Sequence, residues 1–328
     1  MDALSDVLKA VRLRGAVYFD VHASEPWVAE APPGRKIVER LFPGSDHLVS
    51  FHALARGTCW GSIVGGPPIR LAAGDVIMFP HGDAHVMSSA SGARGKPDLS
   101  LYQPPREGQL PFSISMNSAG VDAGANLVCG FLACDARPFN PLLAALPRVI
   151  HISDRKNGPL SALVQFAVTE SREQRIGGEG VLGRLSELMF VDVVRRYLET
   201  LPPDRTGWLA GLRDPVVGRA LAALHRSPER GWTIASLARE AGASRTVLAE
   251  KFTHLVGQPV MQYLTRWRMQ LASNNLITCR DSIAAIAERV GYDSEAAFSR
   301  AFKKVVGSPP SAWRVNRGGG KRAASGAR

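Results

Sequence analysis

The chain of 328 residues is long enough for two domains, and its 45% hydrophobic composition and mean hydropathy of −0.04 are typical of a globular protein. No apolar run approaches the roughly 18 residues that span a bilayer, and the first residues are acidic, unlike those of a signal peptide. The four cysteines are too irregularly spaced for a disulfide framework. We therefore expect a cytoplasmic protein with no membrane partner. The formal net charge of +11 lies entirely in residues 213–328, which hold 19 Lys and Arg against 8 Asp and Glu, and this distribution favours a partner that carries phosphate.

Residues 1–136 are predicted to form a β-barrel. After an amphipathic helix at residues 2–14, short apolar segments broken by Pro and Gly recur at roughly ten-residue spacing, which is typical of a sandwich or barrel. The predicted strands are residues 15–21, 37–42, 48–53, 59–64, 69–71, 76–79, 85–88, 112–116 and 126–134.

One segment of this region carries a specific motif. The twelve residues from Gly74 to His85 fit the pattern G-x5-P-x-G-x2-H at every fixed position. Pro80 and Gly82 turn the chain there, and His85 begins the next strand facing the interior. The pattern is the second cupin motif, and the region resembles the cupin sensor domain found at the N-terminus of a large group of AraC-type regulators. This resemblance implies a double-stranded β-helix fold.

Three histidines are candidates for an effector-binding site in the barrel: His52, His81 and His85. A histidine inside a barrel can bind a metal, bind an organic ligand or belong to the core. In metal-binding cupins the first motif supplies an H-x-H pair and a downstream Glu, whereas His52 stands without either. We therefore expect no cofactor and favour a small-molecule effector, with a metal bound by the three histidines as an alternative. Because side chains alternate along a strand, His81 and His85 need not face the same way.

Three cysteines fall in predicted strands. Cys129 and Cys134 lie an odd number of positions apart, which places them on opposite faces and argues against a chelating pair. Cys59 can sense oxidants only if it is exposed and has a lowered pKa, whereas free cysteines are usually buried. The sequence leaves redox sensing by Cys59, Cys129 or Cys134 open.

Residues 137–201 are predicted to be helical. Two long helices, at residues 160–175 and 181–201, carry apolar stripes that a barrel surface can cover only in part, so we expect a homodimer contact there. The alternative is that the hairpin packs only on its own barrel. A Pro-containing linker at residues 202–212 follows.

An internal repeat dominates the C-terminal part of the chain. In each copy a short amphipathic helix ends at a glycine suited to positive φ, and a second helix starts behind a polar N-cap, which is Ser244 in the first copy and Asp293 or Ser294 in the second. Ile234, Leu237, Ala238 and Gly242 recur 49 residues later as Ile283, Ile286, Ala287 and Gly291, and Leu248, Phe252 and Gly257 recur 50 residues later as Phe298, Phe302 and Gly307.

The second helix of each copy is predicted to have a buried face and an outward face. The buried face comprises Val247, Leu248, the stem of Lys251 and Phe252, and in the second copy Ala297, Phe298, Ala301 and Phe302. The outward face comprises Arg245, Thr246, Ala249 and Glu250, and in the second copy Glu295, Ala296, Ser299 and Arg300. A helix that presents such side chains in its early turns can lie in a major groove and contact base edges.

Residues 259–276 are predicted to form one helix between the two copies. About 18 residues at about 1.5 Å each give a rod of roughly 27 Å. Successive major grooves recur about every 34 Å, so two recognition helices separated by such a rod can enter successive grooves of double-stranded DNA.

The repeat has a specific resemblance. Residues 232–314 resemble the DNA-binding domain of AraC/XylS-family transcriptional regulators in the step at 257–259, the linker helix at 263–268 and the closing segment at 307–314. The resemblance implies that the two outward faces meet bases. Glu250 departs from the family, because many members carry a cation or an amide at this position; a carboxylate can accept from cytosine N4 but is repelled by phosphate.

The sequence thus predicts a two-domain α+β chain. It comprises a cupin-like sensor barrel at residues 1–136, a helical dimerisation hairpin at 137–201, a linker at 202–212, an all-α double helix-turn-helix domain at 213–316 and a disordered basic tail at 317–328.

The predicted function is a sequence-specific DNA-binding transcriptional regulator, not an enzyme, that responds to a small-molecule effector through the cupin domain and works as a homodimer on the nucleoid. Two alternatives stay open. One is a metal-dependent cupin oxygenase or isomerase with an accessory helical domain. The other is an architectural DNA binder without an effector, whose barrel is filled by side chains.

Overall fold

Short alternating segments form the strands of the protein, and longer amphipathic segments form its helices. A computed structural model describes residues 2–104, 109–117, 124–153, 158–173, 175–202 and 204–318. The strands in these ranges are β1 (Arg14–Ala23), β2 (Val28–Ala31), β3 (His47–Arg56), β4 (Thr58–Ile63), β5 (Ile69–Ala72), β6 (Val76–Phe79), β7 (His85–Ser88), β8 (Phe112–Met116), β9 (Ala125–Cys134) and β10 (Ile150–Ile152). The α-helices are α1 (Ala3–Ala10), α2 (Val38–Leu41), α3 (Pro141–Ala145), α4 (Pro159–Glu173), α5 (Gly178–Thr200), α6 (Trp208–Arg213), α7 (Pro215–Arg226), α8 (Ile234–Glu240), α9 (Arg245–Val256), α10 (Val260–Thr278), α11 (Ile283–Arg289), α12 (Glu295–Val306) and α13 (Pro310–Gly318). None of these helices is long and apolar enough to cross a membrane.

The strands pair into two sheets that enclose one apolar core. The six-stranded sheet has the order β10-β6-β3-β9-β1-β8, and the four-stranded sheet has the order β2-β7-β4-β5. The long strand β9 pairs antiparallel with both β1 and β3. Because side chains alternate along it, Leu127, Cys129 and Phe131 all enter the core that both sheets share. This double-sheet barrel confirms the predicted cupin-like fold.

Eight of the nine predicted strands are confirmed, and the one at residues 37–42 is wrong. That stretch forms a 3-10 turn at Gly34–Lys36 followed by the short helix α2. Val38 and Leu41 both enter the barrel core, and their spacing of three residues is that of one helix face. The strands β2 and β10, of four and three residues, were not predicted.

The chain divides into two compact units that do not coincide with a simple cut of the sequence. One, here called the barrel unit, comprises Leu13–Cys134 and Leu146–Thr200. The other, here called the helical unit, comprises Met1–Arg12, Asp135–Ala145 and Leu201–Arg328. The sequence assigned residues 1–12 to the sensor barrel and residues 137–145 to the hairpin; both carry helices, α1 and α3, that pack against helices of the C-terminal part.

In the barrel unit, helices α4 and α5 pack on the six-stranded sheet through contacts with β1, β3 and β9. Ala167, Met189 and Val193 of these two helices are buried, whereas Phe166 and Leu188 are 46% and 51% exposed. The barrel therefore covers one part of the hairpin's apolar surface and leaves another part open.

In the helical unit, α8–α9 and α11–α12 are the two predicted helix-turn-helix motifs, and α10 is the predicted helix between them. Phe298 and Phe302 of α12 form a core with Met269, Ala272 and Leu276 of α10. Helix α13 packs on α10 and α12 and includes Arg317. Of the predicted tail at residues 317–328, residues 319–328 lie outside the described ranges.

Candidate nucleic-acid interface and ligand cavity

The first helix-turn-helix motif is built from local capping interactions. Thr233 caps α8 in a reciprocal capping box with Ser236, and the Ser244 hydroxyl accepts from the Val247 backbone N–H at 3.2 Å to start α9. Gly242 in the turn has a φ of 66°, as predicted. This conformation favours glycine and sets the angle at which α9 leaves α8.

Helix α9 presents the predicted outward face to solvent. Arg245, Thr246 and Glu250 are exposed and Ala249 is half-buried, while Leu248 and Phe252 are fully buried. These last two residues lie four apart and so share one side of the helix.

Two residues predicted on the buried face of α9 lie elsewhere. Val247 is 42% exposed, because it lies about 100° around the helix from Leu248, away from the motif's core. The Lys251 side chain is exposed and its Nζ donates to Asp214 Oδ2 at 2.8 Å. Asp214 is the N-cap of α7, so this ion pair joins the recognition helix to the helix before the motif.

The second motif repeats the same arrangement. Ser294, one of the two predicted N-caps, caps α12 by accepting from the Ala297 N–H, and Gly291 in the turn has a φ of 82°. Glu295, Ala296 and Arg300 are exposed and Ser299 is half-buried. The eight predicted reading residues therefore all lie on the outward faces of α9 and α12.

Sequence reasoning missed a buried polar cluster under α10. The Tyr263 hydroxyl bonds Trp208 Nε1 at 2.8 Å and His225 Nε2 at 2.7 Å, and the His225 ring packs against Trp267 at 4.1 Å. Burial lowers the pKa of His225 to about 3, so this imidazole is neutral. The signal in the sequence was a histidine in the last turn of an amphipathic helix, which by itself resembles an ordinary surface residue.

Arg268, part of the linker segment that resembles the family, is bound to backbone carbonyls. Its Nε donates to Pro228 O at 2.7 Å, Nη1 to Gly291 O at 3.1 Å and Nη2 to Arg230 O at 2.9 Å. One guanidinium thus joins the segment that precedes the first motif to the turn of the second.

The barrel unit encloses a cavity of about 300 Å³. Most of its lining is apolar or aromatic, and polar groups come from a histidine pair and from a few charged side chains. The lining includes Phe19, Val21, Trp27, Glu30, His52, His85, Met87, Lys96, Asp98, Tyr102, Leu127, Cys129 and Phe131. An apolar cavity with few polar groups is typical of sites for small organic ligands.

Two of the three predicted histidines meet at this cavity. The Nε2 atoms of His52 and His85 are 2.8 Å apart, and His85 Nδ1 lies 2.9 Å from the Asp83 carbonyl. Since a carbonyl can only accept, His85 Nδ1 carries the hydrogen and His85 Nε2 accepts from His52 Nε2–H. Burial lowers the pKa of His85 to about 4 and that of His52 well below its usual value, so the pair is neutral.

His81 does not join this pair. It is exposed, and its Nε2 bonds the Leu146 carbonyl at 2.9 Å, because it lies in the turn after β6 whereas His85 begins β7. The predicted site of three histidines therefore contains two.

The described residues bring two imidazoles to this place, since His52 and His85 direct their Nε2 atoms at each other. In the ranges that the structure describes, no three His, Cys, Asp or Glu side chains are grouped as metal ligands.

The three thiols in the strands are buried. Cys129 enters the barrel core whereas Cys134 does not, in agreement with the predicted opposite faces. Burial raises the pKa of Cys59 to about 12 and raises the pKa of Cys129 well above its usual value. Because the thiolate is the reactive form, these environments disfavour thiol oxidation.

The comparisons with known proteins agree with this architecture. Residues 2–199 match the Cupin family and residues 237–316 match the Helix-turn-helix domain family. An AraC-like transcription regulator of Streptomyces lividans is 34% identical over 322 residues, which cover 96% of this chain and 98% of that protein. The HTH-type transcriptional regulator AlkR of Acinetobacter baylyi is 30% identical over 319 residues, or 96% and 99% of the two chains. Among solved structures, the DNA-binding domain of AdpA in complex with a target DNA is 29% identical and covers 34% of this chain and 96% of that chain, with a TM-score of 0.30.

Two exposed recognition helices in one helical unit, joined in the same chain to a cupin barrel, define a DNA-binding transcriptional regulator. The chain belongs to the AraC family of these regulators, with an N-terminal cupin-type domain.

Proposed function

We propose that this regulator reads a two-segment DNA site as a homodimer and responds to a small uncharged organic effector held in the barrel cavity, without a resident metal or cofactor. It acts in the cytoplasm, on the nucleoid. The observation that carries the effector proposal is the cavity of about 300 Å³ with its neutral histidine pair.

The proposed reading residues are Arg245, Thr246, Ala249 and Glu250 on α9, and Glu295, Ala296, Ser299 and Arg300 on α12. Their support is their position, since they lie on the exposed side of each second helix while the opposite side is buried. Their chemistry suits base edges: an arginine can bind guanine with two hydrogen bonds, and a glutamate can accept from cytosine N4.

Selection of bound sequences from a random duplex pool with the full-length protein tests the reading proposal. We expect an enriched site with two segments about one helical turn apart. Binding without enrichment at moderate salt would mean that the basic helical unit is a non-specific anchor.

The effector proposal follows from the lining of the cavity. Apolar side chains provide most of the contact area, the two imidazoles are neutral, and the charged lining residues Glu30, Lys96 and Asp98 are of both signs, so a largely apolar molecule without a net charge fits best. An effector controls DNA binding only if its affinity differs between two arrangements of the protein.

A screen of small apolar compounds by thermal shift, followed by DNA-binding titrations with each hit, tests this proposal. We expect at least one compound that raises the melting temperature to change the affinity for the selected duplex as well. Compounds that occupy the cavity and leave DNA affinity and transcription unaltered would contradict the proposal.

The homodimer proposal is supported by the exposed apolar surface of the hairpin. Among the described residues, nine large hydrophobic side chains are exposed, and four of them lie in or between α4 and α5: Phe166, Ile176, Val181 and Leu188. Such a concentration favours a contact with a second copy. Sedimentation of Leu188→Glu beside the wild type tests it: we expect a dimer for the wild type and a monomer for the variant, and an unchanged mass would contradict the hairpin contact.

A further inference from the structure

Gln270 is a polar residue at the middle of the otherwise well-packed helix α10. It is 1% exposed, and both ends of its amide are used. Its Oε1 accepts from the Phe139 backbone N–H at 3.0 Å, and its Nε2 donates to the Ala10 carbonyl at 3.2 Å. A buried amide costs free energy unless it is bonded, so a glutamine at this position is explained by these two partners.

The two partners belong to segments that are far from α10 in sequence. We call residues 2–12 and 135–145 the brace. Its halves are bonded to each other: Arg12 Nε and Nη2 donate to Asp135 Oδ2 and Oδ1 at 2.6 and 2.7 Å, and the Asp135 N–H donates to the Val11 carbonyl at 2.8 Å. A two-bond guanidinium–carboxylate pair of this kind fixes the geometry of both side chains.

The brace contacts elements that lie next to both helix-turn-helix motifs. On the side of the first motif, α1 packs against α7 and α3 packs against α6. The Phe139 ring meets the Tyr263 ring edge-on, with 5.3 Å between the ring centroids. On the side of the second motif, Asp135 Oδ1 lies 3.9 Å from Nη1 of Arg317 in α13. Gln270 lies between these two sides, since Trp267 packs with His225 and Met269 packs with the core of α12.

We infer that Gln270 is a positioning residue for DNA binding. It holds the brace against the middle of α10, and the brace in turn fixes how the two recognition helices are placed relative to each other. The inference rests on the proposed reading of a two-segment site. It assigns no DNA contact to Gln270, whose side chain is buried.

The brace also has a chain connection to the cavity. Its first half continues directly into β1 and its second half follows directly from β9, and these two hydrogen-bonded strands contribute Phe19 and Cys129 to the cavity lining. The chain segments that continue from these two strands are therefore both hydrogen-bonded to one residue of α10, Gln270.

Full-length Gln270→Leu tests the role, because leucine keeps most of the side-chain volume and removes both hydrogen bonds. Three duplexes serve as probes: the selected two-segment site, the same site with one base pair inserted between the segments, and a site that keeps only one segment. The matched control is Gln262→Leu, which changes an exposed glutamine of the same helix.

We expect Gln270→Leu to bind the one-segment duplex within about twofold of the wild type. On the two-segment duplex we expect a loss between about 5-fold and 150-fold, the usual range of coupling between sites, and a smaller penalty for the inserted base pair. A folded variant that is merely less stable would bind all three duplexes with unchanged preferences. Such a result would overturn the role of Gln270.

Asp135→Asn provides an independent second variant, because it weakens the brace at its ion pair without altering α10. We expect the same change in spacing preference, with a smaller loss of affinity for the two-segment duplex. If the wild type selects a two-segment site and both variants keep its spacing profile, only the role of Gln270 is overturned. If the wild type selects no two-segment site, the proposed reading faces are overturned as well.

Discussion

Arg245 is the first residue of α9 and the only arginine among the four proposed reading residues of that helix. If it donates to a guanine, Arg245→Ala removes a contact that distinguishes one base pair and should cost about 1–3 kcal/mol of binding free energy at that position. We expect the selected site to lose its preference in one segment and to keep the other segment. The measurement is sequence selection with the variant, followed by titration of single-base variants of the site.

Arg226→Ala is a suitable control for this experiment, since Arg226 is an exposed cation of α7 outside both recognition helices. It should leave the selected site unchanged. A uniform loss of affinity on every sequence in Arg245→Ala would show that Arg245 contacts phosphate instead of a base.

His85 gives the barrel a pH dependence whose sign follows from its lowered pKa. The folded state holds the imidazole neutral down to about pH 4, whereas the unfolded chain protonates it near pH 6.5. Between these values the unfolded state binds more protons, so the stability of the barrel unit is complete above about pH 6.5 and falls as the pH drops towards 4.

The pKa difference corresponds to about 3 kcal/mol at the acid end. Urea unfolding of wild type and His85→Gln across this pH range provides the measurement. We expect a steeper loss of stability in the wild type, and parallel profiles for the two proteins would contradict a neutral buried His85.

The outward position of the eight proposed reading residues could be predicted from the sequence because two copies of one helical pattern constrain each other. The sequence misplaced Val247, since a valine in an amphipathic helix is expected in the core, and only the observed positions of Leu248 and Phe252 define which side is buried. It also grouped His81 with His52 and His85. Residue type alone does not show that the turn at Pro80 points His81 away from the cavity.

At the scale of structural elements, two glycines of the second motif differ in what surrounds them: Gly291 lies in the turn, and Gly307 is the C-cap of α12. A Cβ on Gly291 would lie 2.4 Å from the Glu229 carbonyl oxygen, whereas a Cβ on Gly307 meets nothing within 4 Å. Both residues have positive φ, at 82° and 87°. We expect Gly307→Ala to cost about 1–2 kcal/mol from backbone conformation alone and Gly291→Ala to cost more, because backbone must also move.

Urea unfolding of the two alanine variants beside the wild type measures this difference. Equal losses in the two variants would contradict the close approach of Gly291 to Glu229. DNA binding of Gly307→Ala provides a check that the recognition helix is intact.

The elements that the sequence predicted well are those with a long or repeated pattern, such as β3, β9 and the helices of the two motifs. The errors are short elements, since α2 has four residues and β10 has three. The brace was beyond sequence reasoning for another reason. Nothing in the periodicity of α1 or α3 shows which unit they pack against, because their partners, α7 and α6, lie more than 60 residues away in the sequence.

At the scale of the whole molecule, the basic excess is confined to residues 213–328 while residues 1–212 are neutral overall. DNA affinity should therefore fall steeply with salt, by about 0.9 log units per tenfold salt increase for each phosphate contact. With six or more contacts, the loss between about 50 and 200 mM salt is about 10³-fold or more. Fluorescence anisotropy titrations of the full-length protein on the selected duplex provide the measurement, and a nearly flat response would contradict phosphate neutralisation as a main source of affinity.

The division of the chain also bears on how such regulators can exchange parts. Since residues 1–12 and 135–145 belong to the helical unit, the barrel unit behaves as two insertions into a DNA-binding module, not as a separate domain that precedes it along the chain. Recombination that replaces only the residues before 202 would bring a foreign brace and leave the Gln270 amide facing new partners. A successful sensor swap between relatives should therefore keep this chain's own sequence on both sides of each insertion, with the junctions near residues 12, 135, 145 and 201.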